Sequence, residues 1–118
     1  MATPPVNIRL RKQSACLRLE YADGACHDLS FEYLRVNSPS AEVRGHHPDQ
    51  AILQHGKRQV RIVRIEPVGH YALKLFFSDG HQTGIYSWDW LRILGEEHDA
   101  RWAEYLNALS TAGLSRDA

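Results

Sequence analysis

The chain repeats itself, and the repeat limits what it can fold into. Tyr21-Ala22-Asp23-Gly24 runs on to Leu29-Ser30-Phe31-Glu32-Tyr33-Leu34-Arg35, and Phe77-Ser78-Asp79-Gly80 runs on to Tyr86-Ser87-Trp88-Asp89-Trp90-Leu91-Arg92; the spacings differ by one residue. Asp-Gly between apolar runs is a strong hairpin signal, because glycine reaches the left-handed backbone region without steric cost. In each copy a serine then stands where it can cap a helix, with Glu32 or Asp89 in the positive first turn and an aromatic face behind it. The unit is a hairpin followed by a short helix, used twice. The expected fold is α+β: antiparallel hairpins and a meander, with short helices in a two-fold internal repeat.

Periodicity fills in the remainder. Ala15, Leu17, Leu19 and Tyr21 alternate with Cys16, Arg18 and Glu20, the pattern of a strand with one buried face, and Ile8 and Leu10 between arginines suggest a strand before it. Residues 59–66, 71–78 and 81–86 read as a three-stranded meander, with Tyr71, Leu73, Leu75 and Phe77 on the buried face of the middle strand and the other face covered in part. Trp102, Tyr105, Leu106 and Leu109 fall at helical spacing before Gly113, which predicts a C-terminal helix over about residues 99–112. Residues 115–118 are expected to fray. Residues 36–57 show neither period and read as a long polar loop, pinned to the core by Ala51, Ile52 and Leu53.

At 118 residues the chain fits one domain, 1–118, with its core between about residues 8 and 94. Fourteen Lys and Arg balance fourteen Asp and Glu, so the molecule lacks the positive field that draws nucleic acids or anionic membranes, and neither partner is expected. No stretch approaches the roughly twenty apolar residues that span a bilayer, and the start has no signal peptide, so the expected location is cytoplasmic. A two-residue turn with Ala22 opposite Ala25 would put Cys26 opposite Tyr21 on the inward face. Cys16 would then lie about 17 Å away on the outward face. A disulfide needs Cα atoms within about 7 Å, so both are expected as free thiols. Positive charge from Arg18 and from Arg9 or Arg11 would favour the Cys16 thiolate.

The run from Tyr33-Leu34-Arg35-Val36-Asn37-Ser38-Pro39-Ser40 to Val43-Arg44, followed by Ser78-Asp79-Gly80-His81 and Tyr86-Ser87-Trp88-Asp89-Trp90-Leu91, resembles the γ-butyrobetaine hydroxylase-like N-terminal domain family. The resemblance covers about residues 8–94. In the hydroxylases this domain precedes an iron and 2-oxoglutarate-dependent catalytic domain; similar domains occur alone in bacteria or joined to P-loop ATPases of the iron–sulfur carrier type. The resemblance thus implies a protein partner: an iron–sulfur carrier, an oxygenase, or a second copy. It also implies a zinc site made by a Cys-x-Cys-x-x-Cys loop and a histidine. Here Ser38, Ser40 and Val43 stand at the cysteine positions, and only His81 matches. A serine hydroxyl stays protonated near neutral pH and valine has no donor, so that site is lost and no cofactor is expected.

Two functional readings follow. In the first the chain is a non-catalytic accessory or protein-interaction domain, using Arg35, Asn37, Ser38, Ser40 and Arg44 of the loop with Trp102 and Tyr105 of the last helix. The plainer account of the same residues has Arg35 tethering the loop and Trp102 in the core. In the second it is a small zinc- or iron-binding protein using His46, His47 and His81, since imidazole suits those metals; adjacent histidines in a polar loop are otherwise simply solvated. His47-Pro48-Asp49 matches half of a facial iron triad, yet the catalytic domain that carries the triad in the relatives has no counterpart here. The basic run Lys57, Arg58, Arg61 and Arg64 forms no single stripe, because Arg61 points away from its neighbours. No Gly-rich phosphate loop, Gly-x-Ser-x-Gly or Cys-x-x-Cys motif occurs, so no enzyme is expected.

Overall fold

The computed structural model describes residues 3–40, 43 and 52–117. Strands β1 (Asn7–Arg11), β2 (Cys16–Glu20) and β3 (Cys26–Ser30) form one antiparallel sheet in that order and lead into helix α1 (Phe31–Val36). Strands β4 (Ile62–Val68), β5 (Ala72–Phe77) and β6 (Ile85–Ser87) form a second and lead into α2 (Trp88–Glu96) and α3 (His98–Ala112). The fold is α+β, with the hairpin-and-helix unit used twice. Among the described residues no helix is long and apolar enough to cross a membrane.

The two units agree in their hydrogen bonds. The Tyr21 amide donates to the Ala25 carbonyl at 2.9 Å, and the Phe77 amide to the His81 carbonyl at 3.0 Å. Gly24 and Gly80 both take φ +90°. Asp23 Oδ1 accepts from the Ala25 amide at 3.0 Å and Asp79 Oδ1 from the His81 amide at 3.1 Å. Ser30 Oγ caps α1 by accepting from the Tyr33 amide at 3.0 Å, and Ser87 Oγ caps α2 by accepting from the Trp90 amide at 3.1 Å.

Each turn therefore holds three residues between its closing pair rather than two, because the glycine is the left-handed residue that follows the turn. This corrects the expected register by one. Glu20 faces Cys26 and Cys16 faces Ser30, so both cysteines lie on the outward face, and Cys26 is exposed instead of buried. Both are free thiols.

Leu17, Leu19 and Leu29 of the first sheet, Phe31, Tyr33 and Leu34 of α1, and Leu73, Leu75, Leu91 and Leu94 of the second unit form one apolar cluster. Ala72 and Phe76 are buried as well, so both faces of β5 are covered, Phe76 by the cations of Arg64 and Lys74 at 4.1 and 4.9 Å. Tyr71, expected on the buried face, is 61% exposed because β5 begins one residue later.

The units also hold one another. Arg35 Nε donates to Asp79 Oδ2 at 2.9 Å, and Arg92 Nη2 to Asp23 Oδ2 at 2.9 Å. Each Leu-Arg arginine thus grips the Asp-Gly turn of the other copy. Tyr33 Oη donates to the Leu94 carbonyl and Tyr86 Oη to the Leu34 carbonyl, which adds two buried cross-ties.

The tail is held rather than frayed. The Gly56 and Arg58 amides donate to the Ser115 and Arg116 carbonyls at 2.9 and 3.1 Å. Arg116 pairs through two nitrogens with Glu32, whose side chain is 7% exposed. Helical periodicity ends at Gly113, so the sequence pattern has no signal for this contact.

Candidate functional site

Helix α1 ends at Asn37, whose backbone amide and Nδ2 both donate to the Tyr33 carbonyl, at 3.2 and 2.9 Å. The chain then turns inward. Ser38 is 1% exposed, and its Oγ lies 2.8 Å from His81 Nε2 while accepting from the Ser40 amide at 3.2 Å. Ser40 Oγ meets Thr83 Oγ1 at 2.7 Å. Gly84 backs the cluster: a Cβ there would come within 2.7 Å of Ser38 Oγ and 3.0 Å of the Tyr86 ring. Val43 is buried, and its carbonyl accepts from the Ile52 amide at 2.7 Å.

The structure thus brings Ser38, Ser40 and His81 together, from α1's exit and from the turn before β6. Their chemistry does not fit the zinc that the resemblance implies. Two hydroxyls, an aliphatic side chain and one imidazole supply no thiolate, and the imidazole nitrogen facing Ser38 is in a hydrogen bond. Among the described residues no three His, Cys, Asp or Glu side chains gather as a metal would need. Arg44, His46 and His47 lie outside the described residues.

Beside this cluster opens a cleft of about 350 Å³. Asn37, Ser38, Val43, Trp90, Arg101 and Tyr105 are among the residues that line it. The lining is fixed by hydrogen bonds. Trp90 Nε1 donates to the Asn37 carbonyl at 3.0 Å, and the Arg101 guanidinium lies 4.9 Å over the Trp90 ring while paired with Glu97 at 2.9 Å. Tyr105 Oη donates to the Gln54 carbonyl at 2.9 Å, and burial pushes its phenol up to about 12. A lining that mixes aliphatic and aromatic side chains with a few fixed polar groups, at this volume, suits one or two side chains or a small ligand.

The other expected site residues serve the frame. Arg35 is 7% exposed and tied to Asp79. Trp102 packs edge-on against Tyr33 at 6.2 Å and is covered by Arg116 at 5.2 Å. Burial and the nearby Asp28 carboxylate push the Cys16 thiol up, and they outweigh Arg11 and Arg18, so the expected thiolate is not favoured. Trp90 and Arg101 were missed by sequence reasoning; the available signal was the Glu97–Arg101 spacing, which places the arginine one turn along the helix.

No curated protein matches the chain. One solution NMR structure is similar at 48% identity and TM-score 0.86, covering 99% of this chain and 92% of its own. Another is similar at 42% identity and TM-score 0.83, covering 98% and 86%. A crystal structure of a protein of unknown function, of the DUF971 family, from Acidithiobacillus ferrooxidans, is similar at 43% identity and TM-score 0.65 over 77% of this chain and 91% of that one. The family model for gamma-butyrobetaine hydroxylase-like, N-terminal, matches residues 8–92, and the chain belongs to that family.

Proposed function

We propose that the domain is a non-catalytic accessory module that binds a protein partner through the cleft between the α1 exit and α3. The cleft carries this reading: it joins Asn37 and Ser38 of the loop to Trp90, Arg101 and Tyr105 in one concavity of about 350 Å³, and tryptophan, tyrosine and arginine are the side chains that dominate binding energy at protein interfaces. Family membership suggests an iron–sulfur carrier, an oxygenase domain or a second copy as that partner. A photo-crosslinking residue placed at Arg101, and separately at the remote Glu66, tests this in cells. An adduct of one defined protein from position 101 alone is expected, and its loss on Trp90→Ala would tie it to the cleft. No adduct from position 101, or equal adducts from both positions, would overturn the reading.

A further inference from the structure

Strand β1 is the outer strand of the first sheet and pairs with β2 alone among the described residues. Its other edge leaves backbone groups open to an added strand. Cations gather along it. Arg9 and Arg11 are exposed on the outward face, Lys12 opens the following turn, and Arg61 donates to the Lys12 carbonyl while lying 5.6 Å over Phe31. Among the described residues none of these four forms a close ion pair with a carboxylate, Arg9 acting on Glu20 only through its field, whereas β2, α1, α2 and α3 each carry an arginine that does. Arg9 also stands directly across from Arg18, whose own charge is met by Glu20 at 3.1 Å and Asp28 at 2.9 Å.

The opposite face of the strand is apolar: Ile8 and Leu10 are partly buried against the core, and Val6, just before β1, is 68% exposed. Charge on an edge strand repels a second copy of the same edge, and the same charge attracts a segment of opposite sign. Residues 6–12 contain no aromatic side chain on which a nucleic-acid base could stack.

We propose that β1 accepts an extended acidic segment of a partner protein as an added strand, a surface separate from the cleft. Backbone hydrogen bonds to the open edge would hold the segment. Its alternating side chains would set carboxylates against Arg9 and Arg11, and apolar groups beside Ile8 and Leu10.

The test is a titration of the ¹⁵N-labelled full chain, followed by NMR, with an acetylated seven-residue peptide alternating glutamate with valine and threonine. A lysine-for-glutamate peptide and a ten-base oligothymidylate serve as comparisons. Shifts confined to residues 6–12 and Arg61, and binding weakened about tenfold in Arg9→Glu/Arg11→Glu, are expected. Shifts elsewhere, none at millimolar peptide, equal binding by the lysine peptide or the charge-reversed variant, or tighter binding of the oligonucleotide at these residues would each overturn the proposal.

Discussion

Asp79 ties its own turn to two other parts of the chain. One carboxylate oxygen holds its own turn through the His81 amide, and the other receives Arg35 and Lys57, each at 2.9 Å. Desolvation raises its pKa, but the bonds from Lys57, the His81 amide and Arg35 together outweigh it and hold the group down at about 2, against 3.8 for the free residue. A depressed carboxylate contributes stability that is complete above its unfolded pKa and lost as pH falls through the folded one. Part of the acid unfolding is therefore expected between about pH 4 and pH 2, and Asp79→Asn should remove that part. At neutral pH the same variant should cost about 2 kcal/mol by chemical denaturation, less than for a fully buried pair because Asp79 keeps 21% side-chain exposure. Asp23→Asn, its repeat counterpart, should cost clearly less, since the Arg92–Asp23 pair lies in solvent with side-chain exposures of 21% and 59%. Equal losses would contradict the asymmetry. The sequence made both aspartates legible as turn residues; their grip on the opposite copy depends on tertiary packing that no local pattern records.

At the scale of elements, the turns and helix starts were legible because their chemistry is local: a glycine in the left-handed region, an Asp beside it, a serine cap three residues before the amide it receives. Loop length was less so. Taking the Asp-Gly loop as two residues shifted the register by one and turned Cys26 to the wrong face. The correct register predicts that Cys26 reacts with a neutral aromatic disulfide before Cys16, whose thiol burial and Asp28 push up. Modification of Cys16 first would speak against that register. The tail was invisible to periodicity, yet Arg116 satisfies a Glu32 that is 7% exposed. Arg116→Ala should leave that acid without its partner and cost about 2–3 kcal/mol, measured as a lower denaturation midpoint at unchanged slope. A neutral substitution would show that the tail only rests on the surface.

Across the whole molecule, the two hairpin-and-helix units clasp each other through exchanged Arg–Asp pairs and exchanged tyrosine hydroxyl bonds. The site sits where this symmetry is broken. Helix α2 continues into α3, while α1 gives way to the Ser38–Ser40 turn, and the cleft lies between those two different exits. That Ser38, Ser40 and His81 meet was legible only through family resemblance, because nothing in a single sequence ties a loop to a turn more than forty residues away. The hydrogen bonds of these side chains stand where the resemblance implies zinc, so the fold is expected to hold without metal. Gly84→Ala, which drives a methyl toward Ser38 Oγ and the Tyr86 ring, should lower stability by about 1–3 kcal/mol. The most direct measurement is elemental analysis of tag-free protein purified without added metal, paired with its melting temperature before and after chelator. Far less than one zinc or iron per chain and an unchanged Tm are expected; one metal per chain, lost in His81→Ala and with a Tm that falls on chelation, would show that the site holds metal after all.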